Sequence, residues 1–205
     1  MKQNPHPLEH LQTKYPATSR HSMMQLNPFE DLGYYAFNYK EAAEMLFSQW
    51  EGRPEQDAFL MPLLALYRQA FELELKSLAL AIASHQVRLG GDPEKYSRSA
   101  MESTIGQKGF GHSIERSKKW INEELKLLGF AGEACTPKLD EIATMIHNLD
   151  PKGTDFRYPA KITDSISINP TGLLEDLRDA FKELQGLHAL IEAHLEAVPG
   201  IKDLV

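Results

Sequence analysis

The chain has 205 residues, and 22 Lys and Arg against 29 Asp and Glu give a formal net charge of −7. Its 42% hydrophobic and 25% charged residues match an ordinary globular protein, which excludes disorder as the general state and predicts one main domain. An isoelectric point near 5.6 excludes broad, non-specific attraction to nucleic acid or anionic membrane, though not a local basic patch. Cys135 is the only cysteine, which rules out an internal disulfide and a cysteine-based metal cluster. The opening MKQNPHPLEHLQ has no apolar stretch of the kind that directs secretion, so a cytoplasmic location is expected.

Residues 1–25 read as an N-terminal arm, because Pro5, Pro7 and Pro16 interrupt any helix and His6, His10 and His21 fit no compact metal-ligand spacing. Residues 26–200 read as a single helical domain. A first helix is predicted from about Phe29 to Trp50, with Asp31 as its N-cap and Tyr35, Tyr39, Ala43, Leu46 and Phe47 at three- and four-residue steps. A second, from about Gln56 to Leu89, is apolar almost all round, the pattern of a buried helix. Its length would cross a membrane, but Arg68, Glu72, Glu74 and Lys76 in its middle make it a core helix instead.

Gly90-Gly91-Asp92-Pro93 stops that helix, and Tyr96 to Gly111 reads as a loop with one short helical turn. Further helices are predicted from about Ser113 to Leu128, from Pro137 to Leu149 with Thr136 as N-cap, and from about Thr171 to Ala197. Between the last two, Ile162, Ile166 and Ile168 alternate with polar residues, which predicts a short strand or hairpin arm over 161–169. The expected architecture is all-α: an up-and-down bundle of about five helices.

Chemistry concentrates on the second helix. Arg68, Glu72 and Lys76 at i, i+4 and i+8 form one narrow stripe. On a helix otherwise apolar, the stripe must be partly buried and internally paired. It can serve either as a polar network that fixes packing or as a cationic seat for a phosphate or an RNA backbone, with Arg68 making bidentate contacts. His112, between Gly111 and Ser113 at a helix start, is placed either to cap or to act in acid–base catalysis. His147 at a helix C-terminus is explained by the helix dipole. Asp155-Phe156-Arg157-Tyr158-Pro159 is either a rigid turn or a loop that points Arg157 towards the stripe. The chain contains no Gly-rich phosphate loop, no HExxH and no paired Glu-x-x-His, so no metal or cofactor is expected.

Three segments together carry a family resemblance. Tyr67-Arg68-Gln69-Ala70-Phe71-Glu72-Leu73-Glu74-Leu75-Lys76 resembles the Tyr-Arg-x-Ala-x-Glu-Leu-x-Leu-Lys helix of bacterial HEPN-superfamily proteins. Gly111-His112 resembles their Gly-His step, and Phe156-Arg157-Tyr158-Pro159, after a helix ending in Asp150-Pro151, resembles their Phe-Arg-Tyr-Pro segment. The resemblance covers roughly residues 60 to 160. It implies a compact helical bundle, often a homodimer, that works in phage defence, toxin–antitoxin or RNA processing, with RNA, a nucleotide, a nucleotidyltransferase or another defence-system protein as partner. Tyr67, Arg68, Glu72, Lys76, His112, Arg157 and Tyr158 are the candidate ligand-binding residues, with Arg68, Lys76 and Arg157 expected to contact a phosphate-bearing ligand or RNA and Glu72 to orient the cations.

Active members of that superfamily are metal-independent RNases built on Arg, four to six residues, then His. Here Arg20 adjoins His21, while Arg98 and Arg178 lie too far before His112 and His188, so that motif is absent. The expectation is therefore a HEPN-like binding protein for a phosphate-bearing ligand, RNA or a protein. The alternatives are a divergent RNase with His112 as general acid or base, and a non-catalytic homo-oligomeric scaffold.

Overall fold

Capping and proline residues set where several of the helices begin. The computed structural model describes residues 14, 32–50, 53–106, 109–130, 135–157 and 167–197. All of them except Lys14 belong to one compact unit, Asp31–Val205. The N-terminal arm, the Asp31 cap, Tyr158 and most of the predicted strand lie outside the described residues. Residues 167–169 carry no strand, and the described residues are all-α, as expected.

Helix α1 spans Leu32–Ser48. A 3₁₀ turn, Pro54–Phe59, then leads into α2, Leu60–Arg88. The predicted start at Gln56 is thus four residues early, and Pro62 explains the shift. In a helix begun at Gln56 its missing N–H would have to bond the Ala58 carbonyl, whereas in the first turn of α2 no N–H partner is needed. Two short helices follow, α3 (Pro93–Tyr96) and α4 (Arg98–Ile105), and the second extends the one helical turn expected within 96–111 to eight residues. Asp92 and Ser97 cap them, their side chains accepting from the Glu94 and Ala100 amides.

Helix α5 is Ile114–Leu127, capped by Ser113, and α6 is Pro137–Leu149, capped by Thr136, both close to the predicted bounds. Helix α7 covers Pro170–Ala197, with the Asn169 side chain accepting from the Gly172 amide at 3.3 Å. Asn-Pro is therefore a cap followed by a first-turn proline, one residue ahead of the predicted start. Among the described residues, five helices of 13 residues or more, α1, α2, α5, α6 and α7, make the bundle.

Helix α2 is its axis and packs against α1, α5 and α7, while α6 packs on α5 and α7. Phe71, Leu75, Leu78 and Ile82 are fully buried, and Phe71 meets Phe181 of α7 edge-to-face with centroids 5.4 Å apart. No helix among the described residues is long and apolar enough to cross a membrane. The turn after α4 depends on a close backbone approach: a Cβ on Gly109 would sit 1.9 Å from the Thr104 carbonyl oxygen, the same oxygen that accepts the Phe110 amide at 2.7 Å.

Each buried charge on α2 has a partner on another element or one turn away. Glu74 faces α7, where His188 Nδ1 lies 2.7 Å from its Oε1 and His188 Nε2 lies 3.5 Å from Glu192. Burial alone would lower the His188 pKa, but the hydrogen bond to Glu74 and the charges of Glu74 and Glu192 outweigh it and raise the value above 6.5. The folded state therefore holds this proton more tightly than the unfolded chain. The resulting stabilisation is complete below about pH 6.5 and is lost as pH rises through the folded pKa. Urea unfolding of wild type and His188→Gln should accordingly show the larger stability gap at about pH 6 and a smaller one at about pH 8.5; a gap that widens with pH would contradict the assignment.

Candidate functional site

The stripe on α2 is the centre of a network that joins three separate stretches of chain. Arg68 is buried, at 2% exposure, and each of its donor nitrogens is engaged. Nη1 donates to Glu72 Oε2 at 2.7 Å, Nε donates to the Asp150 carbonyl at 2.9 Å, and Nη2 donates to the His112 carbonyl. Glu72, equally buried, also accepts from Lys76 Nζ at 2.7 Å, and His112 Nδ1 lies 3.0 Å from the same oxygen, Oε1. Burial pushes the Glu72 pKa up, yet the charges and hydrogen bonds of Lys76 and Arg68 prevail and hold it below 4.5. Glu72 is thus ionised at neutral pH, and its carboxylate serves three partners.

The loop after α6 is built to meet this guanidinium. Asp150, the C-cap of α6, accepts the Thr154 and Asp155 amides on Oδ1 at 2.7 and 3.0 Å. Its Oδ2 lies 3.5 Å from Arg68 Nε. The turn it organises places Gly153 at φ +70°, flat against Arg68: a Cβ there would lie 2.9 Å from Nη1 and 3.0 Å from Cζ. Only glycine satisfies both the left-handed backbone and the contact. Arg157 closes the turn, its Nε donating to the Gly153 carbonyl at 2.9 Å and Nη2 donating to the same oxygen.

His112 reaches the network from the other side. Gly111, at φ +57°, turns the chain ahead of the Ser113 cap, which accepts the Arg116 amide at 3.2 Å. The His112 main chain is tied to Arg68, while its side chain is 53% exposed. Because Glu72 is ionised, Nδ1 carries the proton of that hydrogen bond, which leaves Nε2 as the nitrogen of an accessible ring that is unengaged among the described residues.

The residues singled out in the sequence therefore have different placements. Arg68, Glu72, Lys76 and His112 come together, and Arg157 joins through Gly153. Tyr67 points elsewhere: it is buried between α1 and α7, where its hydroxyl donates to Glu44 and Arg178 Nε donates to both Glu44 oxygens at 2.7 Å. Burial and the Glu44 hydrogen bond push the Tyr67 pKa well above its usual 10, so it remains a neutral donor. Tyr158 lies outside the described residues. Asp150 and Gly153, essential to the geometry, were visible in the sequence only as an Asp-Pro step and a glycine in an irregular connection.

Two further clusters each form around a single buried charge. Glu124 meets Lys95 at 2.6 Å and the Tyr96 hydroxyl at 2.7 Å, and Lys118 meets Asp140 at 2.7 Å and Glu115 at 3.0 Å. Among the described residues no three His, Cys, Asp or Glu side chains are grouped to hold a metal ion.

A cavity of about 330 Å³ opens on the loop side of Arg68, between α1, α2 and residues 150–157. Tyr39, Pro62, Ala65, Leu66, Gln69 and Arg157 line it together with Arg68, Asp150 and Gly153; His112 and Lys76 do not. No protein-family model, curated protein or solved structure matches this chain.

Removing the guanidinium takes the arginine partner from two buried carboxylates and a donor from two carbonyls, so Arg68→Ala should cost about 3–5 kcal/mol in urea unfolding. Gly153→Ala should cost about 1–3 kcal/mol through backbone strain and the clash with Arg68. Combined, the two changes should cost less than their sum, because the alanine Cβ then has no guanidinium to meet. Strict additivity would show that Gly153 is not held by that contact.

Proposed function

We propose that this chain is a HEPN-like bacterial protein of a defence or regulatory system that binds RNA or another phosphate-bearing ligand at the exposed His112 ring and the partly buried Lys76 beside it. One observation carries the reading: His112 and Lys76 both hold Glu72 Oε1, at 3.0 and 2.7 Å, so a single buried carboxylate sets an accessible imidazole beside an ammonium group. A lysine ammonium beside an accessible imidazole so placed presents hydrogen-bond donors to a phosphate oxygen. Arg68 takes no direct part, since its donors are engaged within the fold; it is the positioning residue for the His112 main chain. Two of the segments that resemble HEPN proteins meet at Glu72, and Arg157 of the third joins through Gly153, which supports the family reading.

The hydrogen bond from Nδ1 to Glu72 favours a second reading, metal-independent RNA cleavage. A carboxylate on one ring nitrogen fixes the tautomer and leaves Nε2 free to take a proton from a ribose hydroxyl. Fluorescence anisotropy with a labelled single-stranded RNA in EDTA, followed by gel analysis of the same sample, separates the readings. Binding of intact RNA that weakens roughly tenfold or more in His112→Ala supports the first, this being the effect of losing one charge-assisted hydrogen bond. Cleavage that disappears in the same variant supports the second. Absence of both in a folded wild-type protein overturns them together.

A further inference from the structure

We propose that the cavity beside Arg157 is a separate binding site for a small monocarboxylate with an aromatic or aliphatic body. The charge of its lining points to a single negative charge. Arg68 and Asp150 offset one another within the network, which leaves Arg157 as the surplus cation, with no carboxylate partner among the described residues. Its Nε and Nη2 rest on the Gly153 carbonyl, and this bond fixes the plane of the guanidinium while Nη1 remains unengaged among the described residues. A guanidinium held in this way is set to receive one carboxylate. A phosphate dianion would bring a second charge that the lining does not balance, next to the Asp150 carboxylate.

The rest of the cavity fits an apolar body. Pro62, Ala65 and Leu66 on the first turns of α2 form one wall, and the Tyr39 ring of α1 forms another. Gln69 adds an amide with no hydrogen-bond partner among the described residues, available to a second ligand oxygen. A volume near 330 Å³ is at the small end of ligand pockets, which suits a compact acid rather than a nucleotide chain. The inference is independent of the RNA reading, because neither His112 nor Lys76 lines the cavity.

Isothermal titration calorimetry with indole-3-acetate, phenylacetate and octanoate, each paired with its neutral amide, tests the site. At least one acid should bind roughly tenfold or more tightly than its amide, the difference made by one charge-assisted contact. Arg157→Gln should bring that acid down to the level of its amide. Ala65→Met, which fills the cavity without touching any charge, should abolish binding of both forms; circular dichroism establishes that each variant is folded. The proposal fails if none of the three acids binds, if acid and amide bind equally, or if the acid binds Ala65→Met as well as wild type. Phenyl phosphate binding more tightly than phenylacetate would overturn the monoanion assignment. Acid binding in a protein that binds no RNA would leave this site standing while removing the function proposed above.

Discussion

A single guanidinium sets the geometry on which the rest of this site depends. Arg68 projects from the middle of the most buried helix, and its nitrogens reach the loop before α5, the loop after α6 and a carboxylate one turn along its own helix. Main-chain carbonyls at His112 and Asp150 each gain a charge-assisted donor from it, the Asp150 oxygen in addition to the Gly153 amide at 3.3 Å. An apolar residue at position 68 could pack against α2 and its neighbours, but it could not specify which carbonyl of each loop faces inward. The register of both loops against α2 is therefore an electrostatic decision made inside an otherwise apolar bundle.

Once Arg68, Glu72 and Asp150 are committed to each other, little of the charge in the cluster remains for a ligand. What remains is held out at the two ends. His112 is anchored through its carbonyl and through Nδ1, yet its ring is accessible. Arg157 is anchored through the Gly153 carbonyl and faces the cavity. A buried network of this kind restricts the rotamers of the exposed groups it carries, which lowers the entropy cost of any contact they make. Structure and function thus divide along the cluster: the interior residues position, and the outer residues are free to touch.

Much of the fold was legible locally. Thr136-Pro137 and Ser113 marked the starts of α6 and α5, because a cap and a first-turn proline act within four residues. The i, i+4, i+8 stripe likewise announced its internal ion pairs. Three things were not legible, and each for a stated reason. The start of α2 turned on which N–H Pro62 would have to supply, a question that arises only once a helix start is assumed. Tyr67 stands beside Arg68 in sequence, but adjacent helix positions point about 100° apart, so it joins Glu44 and Arg178 instead of the cluster. Gly153 owes its place to a guanidinium 85 positions away, and no local pattern reports such a contact.

The same network accounts for the order and company of the three motif segments. Residues 67–76, 111–112 and 150–157 are far apart in the chain, yet each supplies one side of the arrangement around Arg68. Any bundle that solves this burial problem in this way needs an Arg, a carboxylate one turn later, a glycine-led turn ahead of a capped helix, and an Asp that folds a tight turn against the guanidinium. Packing alone is thus sufficient reason for most of these residues to occur together. His112 is different, because the tie to Arg68 uses only its carbonyl, which any residue would provide. The imidazole is superfluous to the loop, and a carboxylate already satisfied by Arg68 and Lys76 does not require it. His112 is thus the side chain of this cluster that the fold positions but does not need, and the proposed binding of a phosphate-bearing ligand rests on that surplus.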